Sequence, residues 1–261
     1  YEDLTMKRFF TTLRNIFSIE DLRVRILNTI GYLVIFRLGS YVVLPGVDPL
    51  KLTGNTGGIF DLLNTFLGGS FNRASIFALG IMPYISASIV VQLLTVAVPH
   101  FTKMQKEGES GRKKLNQFTR VLTIFITGAQ SYGYLKATIN QDAILQPGIF
   151  FTLSSMALII AGTMFCMWLG ERITDKGIGN GISMLIMIGI VSRFPNAIFQ
   201  EIGAKGTQGL LLFILESLAL FFVVVGVIAL TQATRKIPVQ YAKQVVGNRL
   251  CAGKRDFIPL K

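Results

Sequence analysis

The stretch Ser75–Thr95, SIFALGIMPYISASIVVQLLT, decides the fold class of this chain. It is long enough for an α-helix to cross the roughly 30 Å hydrocarbon core of a bilayer, yet it contains several polar side chains. At about 100° per residue, one third of the helix circumference holds Ile81, Ile85, Ser88, Gln92 and Thr95. A helix surrounded only by lipid does not gather its polar groups on one stripe. The stripe therefore faces either other helices or a path for something polar.

The composition places the chain among membrane proteins. Of its 261 residues, 51% are hydrophobic and 15% are charged, and the mean hydropathy is +0.54. The apolar residues come in blocks of about 20, which is the length of a spanning helix. We predict an all-α polytopic membrane protein whose six spans lie at 24–44, 75–97, 120–137, 149–169, 178–193 and 209–231.

The basic residues are distributed unevenly between the loops. Most of the 26 Lys and Arg residues lie before the first span, between spans two and three, between spans four and five, or after the last span. Positive loops face the cytoplasm, so both the amino terminus and the tail are predicted to be cytoplasmic. An amphipathic helix within residues 1–23 is expected on the membrane surface.

The formal net charge of +12 fits this topology and an attraction to anionic lipid. A site within the tail 232–261 that docks a cytoplasmic partner rich in RNA phosphate is a further interpretation of these charges. Arg37 lies inside the first predicted span near its external end. We expect its charge to snorkel to the interface or to pair within the bundle.

Gly80 and Pro83 interrupt the decisive stretch. Pro83 removes a backbone hydrogen bond and Gly80 loosens the same turn, so a kink is predicted there. Such a kink would let the helix move as a gate. The alternative is that neighbouring helices accommodate the proline locally.

A short apolar helix is predicted within residues 57–69, GGIFDLLNTFLGG, because glycine pairs that favour hinges stand at both ends. It has about half the length needed to span a bilayer. The predicted topology places it on the external side, directly before the span 75–97. Without further context it is an interfacial, re-entrant helix.

Five long stretches of the chain are distinctive: ALGIMPYISASI at 78–89, WLGERITDKGIGNGIS at 168–183, FRLGS at 36–40, KEGESGRK at 106–113 and IPVQYAKQVVG at 237–247. These stretches resemble motifs of the SecY family of protein-translocation channels. The motifs occur in the order of the family and cover nearly the whole chain. The family has ten spans in two inverted halves, and this chain resembles the first five-helix half plus a sixth helix.

The resemblance implies a domain organisation. Residues 1–23 would form the cytoplasmic amphipathic helix and 24–193 the first five-span half-channel, with an external plug at about 57–69. Residues 194–231 would hold an external loop and the sixth span, and 232–261 the start of a long basic cytoplasmic loop.

The resemblance also implies roles for individual residues. The isoleucine ring that closes the pore would include Ile81, Ile85, Ile186 and Ile190. The lateral gate would be lined by Ser88, Gln92 and Thr95, unless these groups only hydrogen-bond between helices. The plug would hold Ile59, Phe60, Asp61, Leu62, Leu63, Asn64 and Phe66. Lys243 and Arg249 would dock a partner, although Asn248 stands where the family often has a second basic residue.

The implied function is a passive, gated conduit for secretory and membrane proteins in the inner membrane of a bacterium. The implied partners are SecE-type and SecG-type subunits, the SecA motor or the ribosome, and signal sequences with their nascent chains. No sequence-specific contact with nucleic acid is expected. No cofactor is expected either.

Two other classes of protein compete with the channel interpretation. A secondary transporter also uses inverted repeats and broken helices, but it places ionisable groups at the bilayer midplane for coupling. Only Glu216 is a candidate acid within the predicted spans. A membrane-embedded enzyme needs a nucleophile with a base, paired aspartates or a metal site. His100 is the only histidine, so we expect neither an enzyme nor a metal site.

Overall fold

The computed structural model describes residues 18–52, 59–139, 141–205, 210–240, 244–246, 249–251 and 255–260. The chain divides into two compact units, Tyr1–Pro195 and Asn196–Lys261. The described part is mostly helical, which confirms the predicted fold class. The predicted amphipathic helix within residues 1–23 lies almost wholly outside the described residues.

The first unit contains α1 Glu20–Gly39, α2 Ile59–Phe66, α3 Met82–Ala97, α4 Pro99–Lys106, α5 Glu109–Thr138, α6 Ile149–Lys176, α7 Gly181–Val191 and the start of α8 Phe194–Lys205. A 3-10 turn at Gln141–Ala143 joins α5 to α6. A helix thus occurs within each of the first five predicted spans.

The second unit contains the rest of α8, then α9 Leu210–Gln232, β1 Arg235–Gln240, β2 Gln244–Val246, β3 Arg249–Cys251 and β4 Arg255–Leu260. Strand β1 pairs antiparallel with β4, and β2 pairs antiparallel with β3. The predicted external loop after residue 193 begins with the helix α8. The basic tail, predicted only as a cytoplasmic loop, forms these two short ladders.

Three helical runs among the described residues are long and apolar enough to cross a membrane. They are Ile149–Lys176, Gly181–Gly203 and Leu212–Gln232. Helices α3 and α4 form a bent pair, which adds a fourth candidate span if the pair is counted as one. Helices α1 and α5 lie at the other two predicted spans, but both begin with a charged segment. The count of six spans therefore stays a prediction.

The kink predicted at Pro83 is wrong. Helix α3 begins at Met82, so Pro83 lies in its first turn, where a backbone N–H has no partner within the helix and its loss changes little. The sharp change of direction occurs at Pro99 instead. Val98 precedes this proline and is extended (φ −114°, ψ 119°), as residues before proline prefer, and α4 leaves α3 at 99°.

Residues 75–81, predicted as part of the second span, form turns instead of a helix. The amide of Ile76 donates to the carbonyl of Val42 at 2.9 Å, and that of Leu44 donates to Ala74 at 2.8 Å. Gly80 has φ +51°, a left-handed conformation that favours glycine. These turns deliver Ile81 to the N-cap position of α3.

Buried hydroxyl groups follow one face of α5. The hydroxyl of Thr119 donates to the carbonyl of Leu115, Thr123 to Thr119 and Thr127 to Thr123, at 2.6–2.9 Å. Each hydroxyl is satisfied inside its own helix, as the absence of water in a bilayer demands. The face is consequently polar in composition but can still pack against other helices.

Helices α6 and α7 meet in a tight glycine turn, as the sequence GIGNG at 177–181 indicates. The side chain of Asn180 accepts from the amides of Ile182 and Ser183 at 3.0 and 3.3 Å and so caps α7. A Cβ atom on Gly181 would collide with the backbone carbonyl of Gly170. The turn therefore allows α7 to return closely along α6.

Gly181→Ala is expected to lower the free energy of unfolding by about 1–3 kcal/mol, because the added methyl group pushes α7 away from α6. Thermal unfolding in detergent measures this loss. Gly133→Ala is the matched control, because nothing lies within 4 Å of a Cβ atom at this position in α5, and it should raise stability by up to about 1 kcal/mol. Equal stability of the two variants would contradict the close packing of α6 and α7.

Candidate functional site

A small apolar cavity lies where α1, α2, α3 and α7 meet. Its volume is about 20 Å³, and its lining consists of Phe36, Phe66, Leu67, Ile81, Met82, Ile85, Leu185 and Ile186. This volume is close to that of a single water molecule, but every lining side chain is apolar. The cavity therefore offers a water molecule no hydrogen-bonding side chain.

Three of the four isoleucines predicted for the pore ring line this cavity. Ile81 is only 4% exposed and packs in a buried cluster with Phe36 and Leu185. Ile85 and Ile186 are half-buried at its edge. Ile190 is 38% exposed and does not line the cavity. The structure thus brings residues of α3 and α7 together around one narrow cavity.

The predicted plug is the helix α2 with the turn that follows it. Phe66 and Leu67 enter the lining of the cavity, whereas Leu62 is largely exposed and Leu63 is half-buried. The other predicted plug residues, Ile59, Phe60 and Asp61, form the first turn of α2, and only their backbone is described.

Asn64 has a structural part in this plug. It is 3% exposed, and its side-chain oxygen accepts from the amide of Asn72 at 3.1 Å. Its carbonyl accepts from the amide of Gly69 at 2.9 Å. Asn64 consequently closes the loop between α2 and the turns that lead to α3.

The end of α2 contacts α7 backbone to backbone. A Cβ atom on Gly189 would lie 2.6 Å from the carbonyl oxygen of Phe66, closer than such atoms can approach. A Cβ atom on Gly68 would lie 2.9 Å from the carbonyl oxygen of Gly189, and Gly68 has φ +63°. Glycine is therefore required on both sides of this contact.

Arginine side chains also bind this turn. The guanidinium groups of Arg37 and Arg73 both donate to the carbonyl of Gly68 at 3.1 Å. Arg37 also donates to the hydroxyl of Tyr41 at 3.2 Å. The charge predicted to snorkel or to pair within the bundle thus binds the turn that follows α2.

The three residues predicted for the lateral gate differ in exposure. Ser88 is half-buried, Gln92 is exposed and Thr95 is 7% exposed. The amide of Gln92 donates to the hydroxyl of Ser88 at 3.3 Å, and the hydroxyl of Thr95 donates to the carbonyl of Gln92 at 2.7 Å. These contacts lie within α3, so they leave the exposed side of Gln92 open to another molecule.

The predicted docking residues lie at the margin of the described chain. Lys243 lies outside the described residues. Arg249 is the first residue of β3 and pairs with Val246 of β2, and its side chain is not described.

Comparison with known proteins decides the family. The family model described as SecY matches residues 75–261. This chain belongs to the SecY family. The SecY-family assignment agrees with the resemblance drawn from the motifs and gives no support to the alternative of a secondary transporter.

Three relatives of this SecY-family chain are bacterial proteins, each named protein translocase subunit SecY. The Aquifex aeolicus protein is 40% identical over 95% of this chain and 61% of its own length. The protein of Buchnera aphidicola subsp. Acyrthosiphon kondoi is 42% identical over 94% of this chain and 71% of its own length. The Escherichia coli K12 protein is 43% identical over 94% of this chain and 57% of its own length. The chain therefore spans about three fifths of the length of most of these relatives.

Solved structures show the same fold. A protein-conducting channel aligns with a TM-score of 0.53 and 19% identity over 90% of this chain and 52% of that chain. A SecY channel, whose plug domain stabilises the closed state and maintains a membrane seal, aligns with a TM-score of 0.51 and 18% identity over the same shares. Together with the apolar helices, these findings make this SecY-family chain a multi-pass protein of the bacterial inner membrane.

Two contributors to the site were not identified from the sequence. Gly189 is one of two glycines in the apolar helix α7. A small residue in such a helix indicates a close packing contact, but the sequence does not show which segment makes it. Arg73 lies between the first two predicted spans, and its charge alone indicates no contact. Its spacing from the glycine pair Gly68–Gly69 could have suggested a turn contact, because side chains four or five residues apart reach the same turn.

Gly189→Ala is expected to displace the end of α2 from α7. A penalty of about 1–3 kcal/mol would raise the undocked population of the plug about 5- to 150-fold. The labelling rate of Leu67→Cys with a water-soluble thiol reagent measures this population, in a Cys251→Ser background that leaves only the buried Cys166. Gly133→Ala should leave the rate unchanged. An unchanged rate in Gly189→Ala would show that the contact does not hold the plug.

Proposed function

We propose that this chain forms part of the central pore-forming subunit of the general secretory translocase. In this function it passes unfolded secretory chains across the membrane and releases membrane segments laterally. One observation carries the proposal most directly: the end of the plug and isoleucines from α3 and α7 line one narrow apolar cavity. The family assignment supports the same function.

An apolar constriction suits such a conduit for a physical reason. Water does not remain in a narrow passage lined by isoleucine and phenylalanine, so ions cannot follow. Branched isoleucine side chains are stiff at χ1 and can close around varied segments of a moving chain. We therefore assign Ile81, Ile85, Ile186 and Ile190 to the pore ring and residues 59–66 to the plug.

The plug must leave this position when a chain passes. Its described contacts with the rest of the first unit include the backbone approach at Gly189, the guanidinium bonds to Gly68 and the packing of Phe66 and Leu67 around the cavity. These contacts lie at the end of α2, so the plug can be released without unfolding the helices around it. The exposed face of α3 that carries Gln92 supports the assignment of Ser88, Gln92 and Thr95 to the lateral gate.

The topology and the partners belong to the same proposal. The amino terminus and the tail 232–261 face the cytoplasm, which places the plug on the external side. The SecE-type and SecG-type subunits would pack against the exposed apolar helices, and anionic lipid would meet the basic cytoplasmic loops. Lys243 and Arg249 of the tail would dock SecA or the ribosome. The relatives are named as translocase subunits, and we propose no catalytic role for this chain.

Site-specific crosslinking tests the conduit. A photoreactive residue at Ile85 or Ile186 should form an adduct with a stalled secretory chain in vesicles that contain the complete secretory apparatus, because both positions line the cavity. The matched controls are Leu93 in α3 and Met187 in α7, which are 65% and 47% exposed and should label lipid. Adducts of equal yield from the controls, or none from the two isoleucines, would contradict the pore assignment.

A further inference from the structure

A groove lies between the end of α5 and the start of α6. Its volume is about 730 Å³, within the range of about 300–1,000 Å³ that is usual for sites of small organic ligands. Its lining includes the buried Leu135 and Ile139 at the end of α5 and the half-buried Phe151 and Met156 of α6. These four residues belong to one hydrophobic cluster or pack against it. We refer to this cavity as the α5–α6 groove.

Backbone hydrogen bonds hold the loop that closes one end of the groove. This loop connects α5 to α6 and lies against the segment that follows α1. The amide of Asp48 donates to the carbonyl of Ala143 at 2.8 Å, and the amide of Leu145 donates to the carbonyl of Gly46 at 3.0 Å. The shape of the groove is therefore set by packed side chains on its inner surface and by these bonds at its end.

The outer part of the groove is apolar and open. Ile149 and Leu153 of α6 belong to its lining and are 81% and 61% exposed. Both lie at the start of Ile149–Lys176, a helix long and apolar enough to cross a membrane. At this position they meet lipid instead of water. The groove consequently offers an acyl chain an apolar surface that begins at one end of a span.

A cationic side chain lies at the rim of this surface. Lys136 and Tyr132 both line the groove, and the Nζ atom of Lys136 lies 5.2 Å from the centroid of the Tyr132 ring. In the part of the chain that the structure describes, no carboxylate forms an ion pair with Lys136. Lysine and tyrosine near the end of a span reach the level of the lipid headgroups.

We propose that the α5–α6 groove binds an anionic phospholipid. One acyl chain would lie along the apolar lining, and the ammonium group of Lys136 would donate to an oxygen of the headgroup phosphate. Charge complementarity favours a headgroup such as phosphatidylglycerol, whose negative charge is uncompensated. The choline group of phosphatidylcholine neutralises its own phosphate, so this lipid would gain less from Lys136.

This site goes beyond the proposed conduit and beyond the lipid contacts proposed for the basic cytoplasmic loops. Those loops precede α5, whereas Lys136 lies in its last turn. The groove therefore lies at the opposite end of the helix. Lipid binding there can be measured on protein that transports nothing, so the site and the conduit can fail independently.

Quenching of tryptophan fluorescence by brominated phospholipids tests the site in vesicles that contain the full-length protein. Leu153→Trp places the probe in the groove lining, and Trp168→Phe removes the only native tryptophan. Brominated phosphatidylglycerol should quench this probe at a mole fraction about fivefold lower than brominated phosphatidylcholine does. A fivefold preference corresponds to about 1 kcal/mol for one basic residue beside an anionic headgroup.

A second probe and three variants of lysine serve as controls. Phe125→Trp reports on a residue of α5 that is also exposed but does not line the groove, and the two lipids should quench it alike. Lys136→Gln should abolish the preference at Leu153→Trp, whereas Lys136→Arg should keep it because the charge remains. Lys51→Gln should also keep it, since Lys51 is an exposed lysine outside the groove lining.

Each outcome decides the proposal. A preference for phosphatidylglycerol at Leu153→Trp that only Lys136→Gln removes supports it. Equal quenching of this probe by both lipids overturns it, and so does an equal loss of the preference in Lys51→Gln, because binding would then follow total charge. Quenching of Phe125→Trp without quenching of Leu153→Trp overturns it too, as it would if a second copy of the chain covered the groove. If Leu153→Trp fails to fold, Ile149→Trp, which also lies in the lining, takes its place.

Discussion

The backbone contact between the end of α2 and Gly189 of α7 is the constraint on which the rest of the site depends. A carbonyl oxygen occupies the space that any larger residue at position 189 would fill. Because the two backbones touch, Phe66 and Leu67 reach the cavity that Ile85 and Ile186 also line. If a further layer of side chains separated the end of α2 from α7, a wider opening would replace the cavity of about 20 Å³.

Helix breaks place the residues around this contact. The turns at 75–81 end in Gly80, whose left-handed conformation directs Ile81 into the buried cluster at the start of α3. At the other end of α3, Pro99 stops the helix and sends α4 away at 99°. Proline and glycine therefore act here as boundaries of α3, while the body of the helix between them is uninterrupted.

Electrostatics explains how a cationic residue is tolerated near the external end of α1. A guanidinium group can be stabilised by carbonyl dipoles and by an aromatic face as well as by a carboxylate. Arg37 uses both, through Gly68 and Tyr41. Arg73 uses the same carbonyl and the same ring, so one turn and one aromatic side chain stabilise two cationic groups.

The sequence by itself determined the helical membrane fold, the approximate place of the helices, the short helix between glycine pairs and the family. These properties depend on local composition and on the order of motifs, which can be read along one chain. Only the tertiary structure decided that Pro83 starts a helix, that Arg37 binds the plug turn, and that Ile190 lies away from the cavity that the other three isoleucines line. The physical reason is that each of these facts depends on the distance between segments far apart in the chain. Periodicity states which residues share a face, but it does not state which face meets which neighbour.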